Sequence, residues 1–195
     1  MLEYDRLYTE KPDRWVNDVH DKYIFDDISP SGEPDTLLDI GCGNGHTIAY
    51  IQTQWKNVKC DGIDLSGVAV ELAKKRAPSA DFYMTELNEY EHEPYELILL
   101  VGVLEHFPDP LEGLLKVKSL LQDNGTVFIE VPNCIAYAFH DGSEGFFRLK
   151  QGSEQLEWHL HRKSWEEIIN KSGLKIAQSI KGASKSSEFI WLLTK

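Results

Sequence analysis

Gly41, Gly43 and Gly45 alternate along a short stretch that follows an apolar run containing Asp39. A strand that passes through such glycines into a helix makes a ligand-binding turn. Glycine permits the sharp reversal and lets amide N–H groups approach a ligand with no Cβ in the way. Residues 58–64, Val-Lys-Cys-Asp-Gly-Ile-Asp, read as the next strand, with the carboxylate of Asp64 at its end. An acid at that place accepts hydrogen bonds from both hydroxyls of an adenosine ribose. The spacing then separates two ligand classes. A dinucleotide fingerprint has its third glycine three residues past the second, where this chain has His46. Here the third glycine is Gly45, and the turn carries no Lys or Arg. A helix start of this kind is not shaped for a pyrophosphate. A cationic, phosphate-free adenosine ligand suits the acidic surroundings better, which disfavours a nicotinamide-dependent oxidoreductase.

Groups that could move a proton lie further along. Glu105 and His106 follow the apolar run 95–101, and His140, His159 and His161 fall in a later aromatic-rich stretch. A histidine titrates near neutrality, and a positioned general base contributes roughly a hundredfold or more. His159 and His161 share one side of an extended segment. Tyr137, Phe147 and Arg148 are candidates for binding a substrate, Arg148 by bidentate capture of a carboxylate or phosphate. Each has a plainer reading as a loop packing contact or a surface ion pair.

The elements that must position these groups alternate. A helix is expected over 14–28, with Trp15, Val16, Val19, Tyr23 and Ile24 on one face. After a Pro- and Gly-containing loop come a strand at 36–40, a helix at 45–54, a strand at 58–64, a helix at 66–76 and a weaker strand at 81–84. Residues 95–101, nearly all apolar, fit a central parallel strand. A helix begins at Pro110 and a turn at 123–125 precedes a strand at 126–131. Residues 133–163 read as an irregular, lid-like insertion. A helix at 164–171 and two strands at 174–180 and 188–193, closely connected and therefore antiparallel, end the chain. The pattern is that of an α/β fold: a Rossmann-like, doubly wound, mostly parallel seven-stranded sheet with an antiparallel last strand and helices on both faces. A helical cap over 1–34 precedes the main domain at 35–195.

Composition narrows the partners. The net charge is −12, yet residues 148–195 hold nine Lys and Arg against five Asp and Glu. The acidic body repels phosphate backbones, so no nucleic acid partner is expected. No apolar run approaches the roughly 20 residues that span a bilayer, and residues 1–10 lack a signal-peptide core. A cytoplasmic protein, monomeric or homodimeric, with no membrane partner is expected. The three cysteines, Cys42, Cys60 and Cys134, are scattered, with no Cys/His cluster to hold zinc.

The motifs together resemble those of class I S-adenosylmethionine-dependent methyltransferases, in particular the small-molecule, ubiquinone-pathway-like branch. Leu38-Asp-Ile-Gly-Cys-Gly-Asn-Gly45 is similar to the first motif of that family, Gly62-Ile-Asp-Leu-Ser66 to the second and Tyr83-Met-Thr-Glu-Leu87 to the third. Leu99-Leu-Val-Gly-Val-Leu-Glu-His-Phe-Pro-Asp109 is similar to the fourth, and Gly125-Thr-Val-Phe-Ile-Glu-Val-Pro-Asn133 to the strand beyond it. The resemblance implies S-adenosylmethionine as the cofactor, with S-adenosylhomocysteine as its product. It places the backbone of Gly41, Cys42, Gly43 and Gly45 along the methionine part and has Asp39 orient that loop. Asp64 would hold the ribose, Leu65 would pack on the adenine, and Glu86 and Leu87 would lie at its edge. Val101 and Gly102 would sit beside the sulfonium. The acceptor implied is a small molecule, methylated on O or N. A metal-dependent branch carries a glutamate where this chain has Gly102, so no metal is expected. A cofactor-binding regulatory or scaffold protein without turnover is the alternative outside enzymology.

Overall fold

The computed structural model describes residues 3–133, 145–148, 156–180 and 188–195, with the backbone alone at 145–148 and Leu156. The strands are β1 (Thr36–Ile40), β2 (Lys59–Asp64), β3 (Asp81–Met84), β4 (Tyr95–Val101), β5 (Leu121–Pro132), β6 (Gly145–Arg148), β7 (Leu156–His159), β8 (Lys175–Ile180) and β9 (Glu188–Thr194). The helices are α1 (Glu3–Glu10), α2 (Asp18–Ile28), α3 (His46–Gln54), α4 (Gly67–Arg76), α5 (Pro110–Ser119) and α6 (Arg162–Ser172). Seven strands form one mixed sheet in the order β3-β2-β1-β4-β5-β9-β8. The pairs β1–β2 and β2–β3 are parallel, whereas β9 runs antiparallel to both β5 and β8. This is the Rossmann-like architecture that the alternating pattern predicts. The chain divides into two compact units, Met1–Leu99 and Leu100–Lys195.

In the first unit, Leu37, Leu38 and Ile40 of β1 are buried together with Ile48 and Ile51 of α3 and Ile63 of β2. Fully burying one such side chain contributes about 1.5–3 kcal/mol. Helix α4 packs on β2 and β3. Its N-cap, Ser66, accepts from the Ala69 amide, and Lys74, Lys75 and Arg76 lie in its last turn, where cations favour the helix dipole. The helix expected over 14–28 begins only at Asp18, capped by Asn17. Its buried face is Asp21, Ile24 and Ile28, while Trp15, Val19 and Tyr23 are exposed. The apolar spacing misplaced that face because Asp21, an acid, is turned inward by bonds to α3.

In the second unit, α5 starts where Asp109 accepts from the amides of Leu111 and Glu112, with Pro110 at the first helical position. Gly113 is required inside that helix, since a Cβ there would stand 2.2 Å from the Phe107 ring. Helix α6 packs on α5 and β8 and buries Trp165 and Ile169. It ends at Gly173, whose φ of 76° lies in the left-handed region. Strand β5 begins at Leu121 and runs through the expected turn at 123–125. Within the stretch expected to be irregular, β6 and β7 pair antiparallel, Gly145 opposite His159 and Phe147 opposite Glu157. Among the described residues, no helix is long and apolar enough to cross a membrane.

Candidate active site

The glycine turn is fastened to the end of β2. The amides of Gly41 and Cys42 both donate to the Ile63 carbonyl, at 2.8 and 3.0 Å. The Asp64 carboxylate accepts from the Gly43 amide at 2.9 Å and from the Ser66 amide at 2.8 Å. Gly41, Gly43 and Gly45 all have positive φ, at 72°, 53° and 73°. The two later glycines serve different ends. A Cβ on Gly43 would lie 2.3 Å from the Tyr8 hydroxyl, so α1 lays a tyrosine against the turn. A Cβ on Gly45 would lie 2.8 Å from that of Ala73 and 3.2 Å from the Phe82 ring. The third glycine therefore lets α3 start against α4 and β3, a packing role beside the ligand-lining one that the resemblance implies. Cys42 is buried with its Cβ against the Gly62 position, and burial pushes its thiol pKa up, keeping it protonated.

Carboxylates crowd this turn. Asp39 is buried, and desolvation, followed by the nearby charges of Asp21 and Asp64, pushes its pKa up to about 8. Burial also raises the pKa of Asp64, against the opposing effect of its amide donors. A cationic ligand beside them would favour the ionised form of both acids. Leu65, directly after Asp64, is 44% exposed and offers an apolar surface there. Glu86 is exposed and Leu87 half-buried at the turn following β3. Burial is the leading reason that the Tyr8 hydroxyl resists ionisation, with Asp64 next.

Several residues that the motifs did not mark hold this turn in place. Asp5 of α1 accepts from the Ser66 hydroxyl at 2.7 Å and from the Val68 amide at 3.3 Å. The Asn44 side chain donates to the Pro12 carbonyl at 2.6 Å, while Arg76 donates to the Asn44 carbonyl at 3.2 Å and pairs with Asp13. Asp21 bonds His46 and, at 2.7 Å, the Thr47 hydroxyl, tying α2 to the start of α3. Asn44 and His46 stand inside or beside the glycine motif, but their partners lie about 25 to 32 residues away and carry no local signal.

In the second unit, Gly102 follows β4 with φ 63°, its amide donating to the Glu130 carbonyl at 3.0 Å. Val101 is half-buried and Gly102 exposed. Glu105 and His106 occupy a single 3₁₀ turn, Leu104–His106. Glu105 is buried, and desolvation first, then Glu157 and Glu130, pushes its pKa up to about 8. His159 at the end of β7 is buried and contacts Glu157 at 2.6 Å, and His106 lies 4.0 Å from the same carboxylate. His161 is half-buried and stands at the N-cap of α6. The structure thus brings Glu105, His106 and His159 around Glu157, which sequence reasoning missed. Tyr137 and His140 lie outside the described residues, as do the side chains of Phe147 and Arg148.

The model of the Methyltransferase domain family matches residues 12–179. The chain belongs to that family. This methyltransferase domain is 22% identical over 181 residues to the ubiquinone biosynthesis O-methyltransferase of Marinobacter nauticus, covering 86% of this chain and 74% of the relative. It is 28% identical over 101 residues to a probable (S)-tetrahydroprotoberberine N-methyltransferase 2 of Papaver bracteatum, covering 49% of this chain and 28% of that protein. The chain therefore matches under a third of the plant relative's length. The solved Burkholderia thailandensis 1,6-didemethyltoxoflavin-N1-methyltransferase, described with 1,6-didemethyltoxoflavin and S-adenosylhomocysteine bound, superposes with a TM-score of 0.79 at 19% identity. That alignment covers 99% of this chain and 85% of the other, and it establishes the shared fold of the methyltransferase domain.

Proposed function

We propose that this methyltransferase domain transfers a methyl group from S-adenosylmethionine to an oxygen or nitrogen atom of a small metabolite. The observation that supports the reading is the 2.9 Å hydrogen bond from the Gly43 amide to Asp64, which joins the glycine turn to the acid at the end of β2. When bound, the cofactor supplies an electrophilic methyl group on a sulfonium. The acceptor atom forms its bond to that carbon as the carbon–sulfur bond breaks, leaving the thioether S-adenosylhomocysteine. The chain's own part is to orient and to exclude water. Asp64, held by the amides of Gly43 and Ser66, presents acceptor capacity to a ribose, and Leu65 presents an apolar face to an adenine. The Asp64 carboxylate, held by two amides, favours a positively charged donor over its neutral product. His106 and His159, which both face Glu157, would take the proton from an acceptor that must lose one.

The relatives' names include both O- and N-methyltransferases, which supports the reaction class and leaves the acceptor open to assay. Calorimetry with S-adenosylmethionine, S-adenosylhomocysteine and NAD tests the cofactor. Binding of both sulfur ligands is expected; tight NAD binding with no response to S-adenosylhomocysteine would overturn the proposal. Methyl transfer across a panel of phenols, carboxylic acids and amines then tests turnover.

A further inference from the structure

We propose that the Tyr8 hydroxyl receives the carboxylate at the amino-acid end of the methyl donor, a binding role for a residue of α1 that no motif marks. The inference rests on S-adenosylmethionine as that donor. The amino-acid arm of the cofactor carries one ammonium and one carboxylate, and the carboxylate needs hydrogen-bond donors. Most of those in the glycine turn are already engaged. The amides of Gly41 and Cys42 both donate to the Ile63 carbonyl, at 2.8 and 3.0 Å. The Gly43 amide donates to Asp64 at 2.9 Å and the Gly45 amide to the Cys42 carbonyl at 3.0 Å. Residues 39–45 hold no Lys or Arg. Arg76 does reach the turn, but the Asn44 carbonyl, at 3.2 Å, and Asp13 take it up. A carboxylate bound against this turn therefore draws on a donor from another element.

Helix α1 supplies one. Tyr8 is 7% exposed, and among the described residues its hydroxyl makes no hydrogen bond, while its ring meets that of Trp15 edge-on at 5.0 Å. A Cβ on Gly43 would lie 2.3 Å from the hydroxyl oxygen and 3.4 Å from the ring carbon that bears it. The oxygen is thus the part of the side chain that presses on the turn. Burying a hydroxyl with no partner costs its hydration, and a phenylalanine would pack against Trp15 without that cost. A ligand that brings an acceptor to the hydroxyl offsets it. Burial, with Asp64 next, holds the phenol against ionisation, so it meets a carboxylate as a donor. A neutral donor suits the place, because a cation there would be drawn to Asp64 instead. The hydroxyl is also held in position before any ligand arrives. Asp5, one helical turn earlier on the same face, accepts from the Ser66 hydroxyl at 2.7 Å and the Val68 amide at 3.3 Å.

Two ligands that differ only in the carboxylate test the assignment: S-adenosylhomocysteine and its decarboxylated analogue, compared by competition calorimetry on the full chain. Tyr8→Phe should weaken S-adenosylhomocysteine about tenfold, the usual scale for a hydrogen bond to a charged group. It should leave the decarboxylated analogue within about twofold, since that ligand lacks the group the hydroxyl receives. The variant keeps the ring and removes a hydroxyl that bonds to none of the described residues, so it should fold, which circular dichroism verifies. Equal affinity of wild type and Tyr8→Phe for S-adenosylhomocysteine overturns the proposal. So does an equal loss for both ligands, which marks a packing role alone. Either result leaves the donor's identity standing, whereas a wild-type chain that binds neither ligand overturns that identity and this assignment together.

Discussion

The Gly43 amide donates a 2.9 Å hydrogen bond to the Asp64 carboxylate, joining two motifs that are 21 residues apart in the chain. The bond makes the glycine turn and the acid at the end of β2 one unit. Replacing Asp64 with Asn preserves size but removes the charge that two amides now share. S-adenosylhomocysteine affinity should fall at least about tenfold, equivalent to about 1.4 kcal/mol, by calorimetry. Unchanged affinity would remove Asp64 from the binding site.

Gly43 and Tyr8 form a second coupled pair. Alanine at 43 must adopt a left-handed conformation, at about 1–2 kcal/mol, and must also displace a hydroxyl that would stand 2.3 Å from its Cβ. Tyr8→Phe removes that hydroxyl. Gly43→Ala should therefore be distinctly less destabilising in the Tyr8→Phe background than alone. A double-mutant cycle of denaturant unfolding measures the difference; simple additivity would refute the contact.

Asp39 ties stability to pH. Its folded pKa is raised, to about 8 from 3.8, so the native state holds a proton that the unfolded chain has lost between those values. Stability from this group is complete below pH 3.8 and is lost as pH rises through about 8, with a slope of about 1.4 kcal/mol per pH unit in that window. Asp39→Asn should flatten the dependence across this range and gain stability relative to wild type as pH rises. Melting curves of both proteins from pH 5 to about pH 9 provide the comparison. Parallel profiles would contradict the assignment.

Asp109 caps α5 with two amide contacts. Asp109→Ala should cost about 1 kcal/mol in chemical denaturation, within the usual range for a lost N-cap. It should leave S-adenosylhomocysteine binding unchanged, since both amides it caps belong to α5.

The sequence pattern revealed what depends on local chemistry. Gly41, Gly43 and Gly45 fall where positive φ is needed, Pro110 opens α5 and the last two long strands pair antiparallel. Long-range polar contacts were not legible. Asp21 reads as an exposed acid on a helix, yet it is buried because His46 and Thr47 receive it. Glu157 lies in a stretch that looks irregular, and only the pairing of β6 with β7 fixes its place. Gly45 was visible as part of the turn, but its need to clear Ala73 depends on how α4 packs. Helix α1 falls within the helical cap expected over 1–34, but its bounds were not legible because its eight residues are mostly polar, with Leu7 and Tyr8 as its buried positions.

Asp5 reaches from α1 to the Ser66 hydroxyl and the Val68 amide, donors in the first turn of α4. The consequence is kinetic and directly observable. Whenever α1 lifts away, the Val68 amide loses its acceptor and becomes open to isotope exchange with solvent, while the Ala69 amide keeps Ser66 Oγ. The ratio of deuterium uptake at these two adjacent sites is therefore a clock for the seating of α1. A ligand that stabilises the glycine turn beneath Tyr8 should slow it, even when the ligand never touches α4.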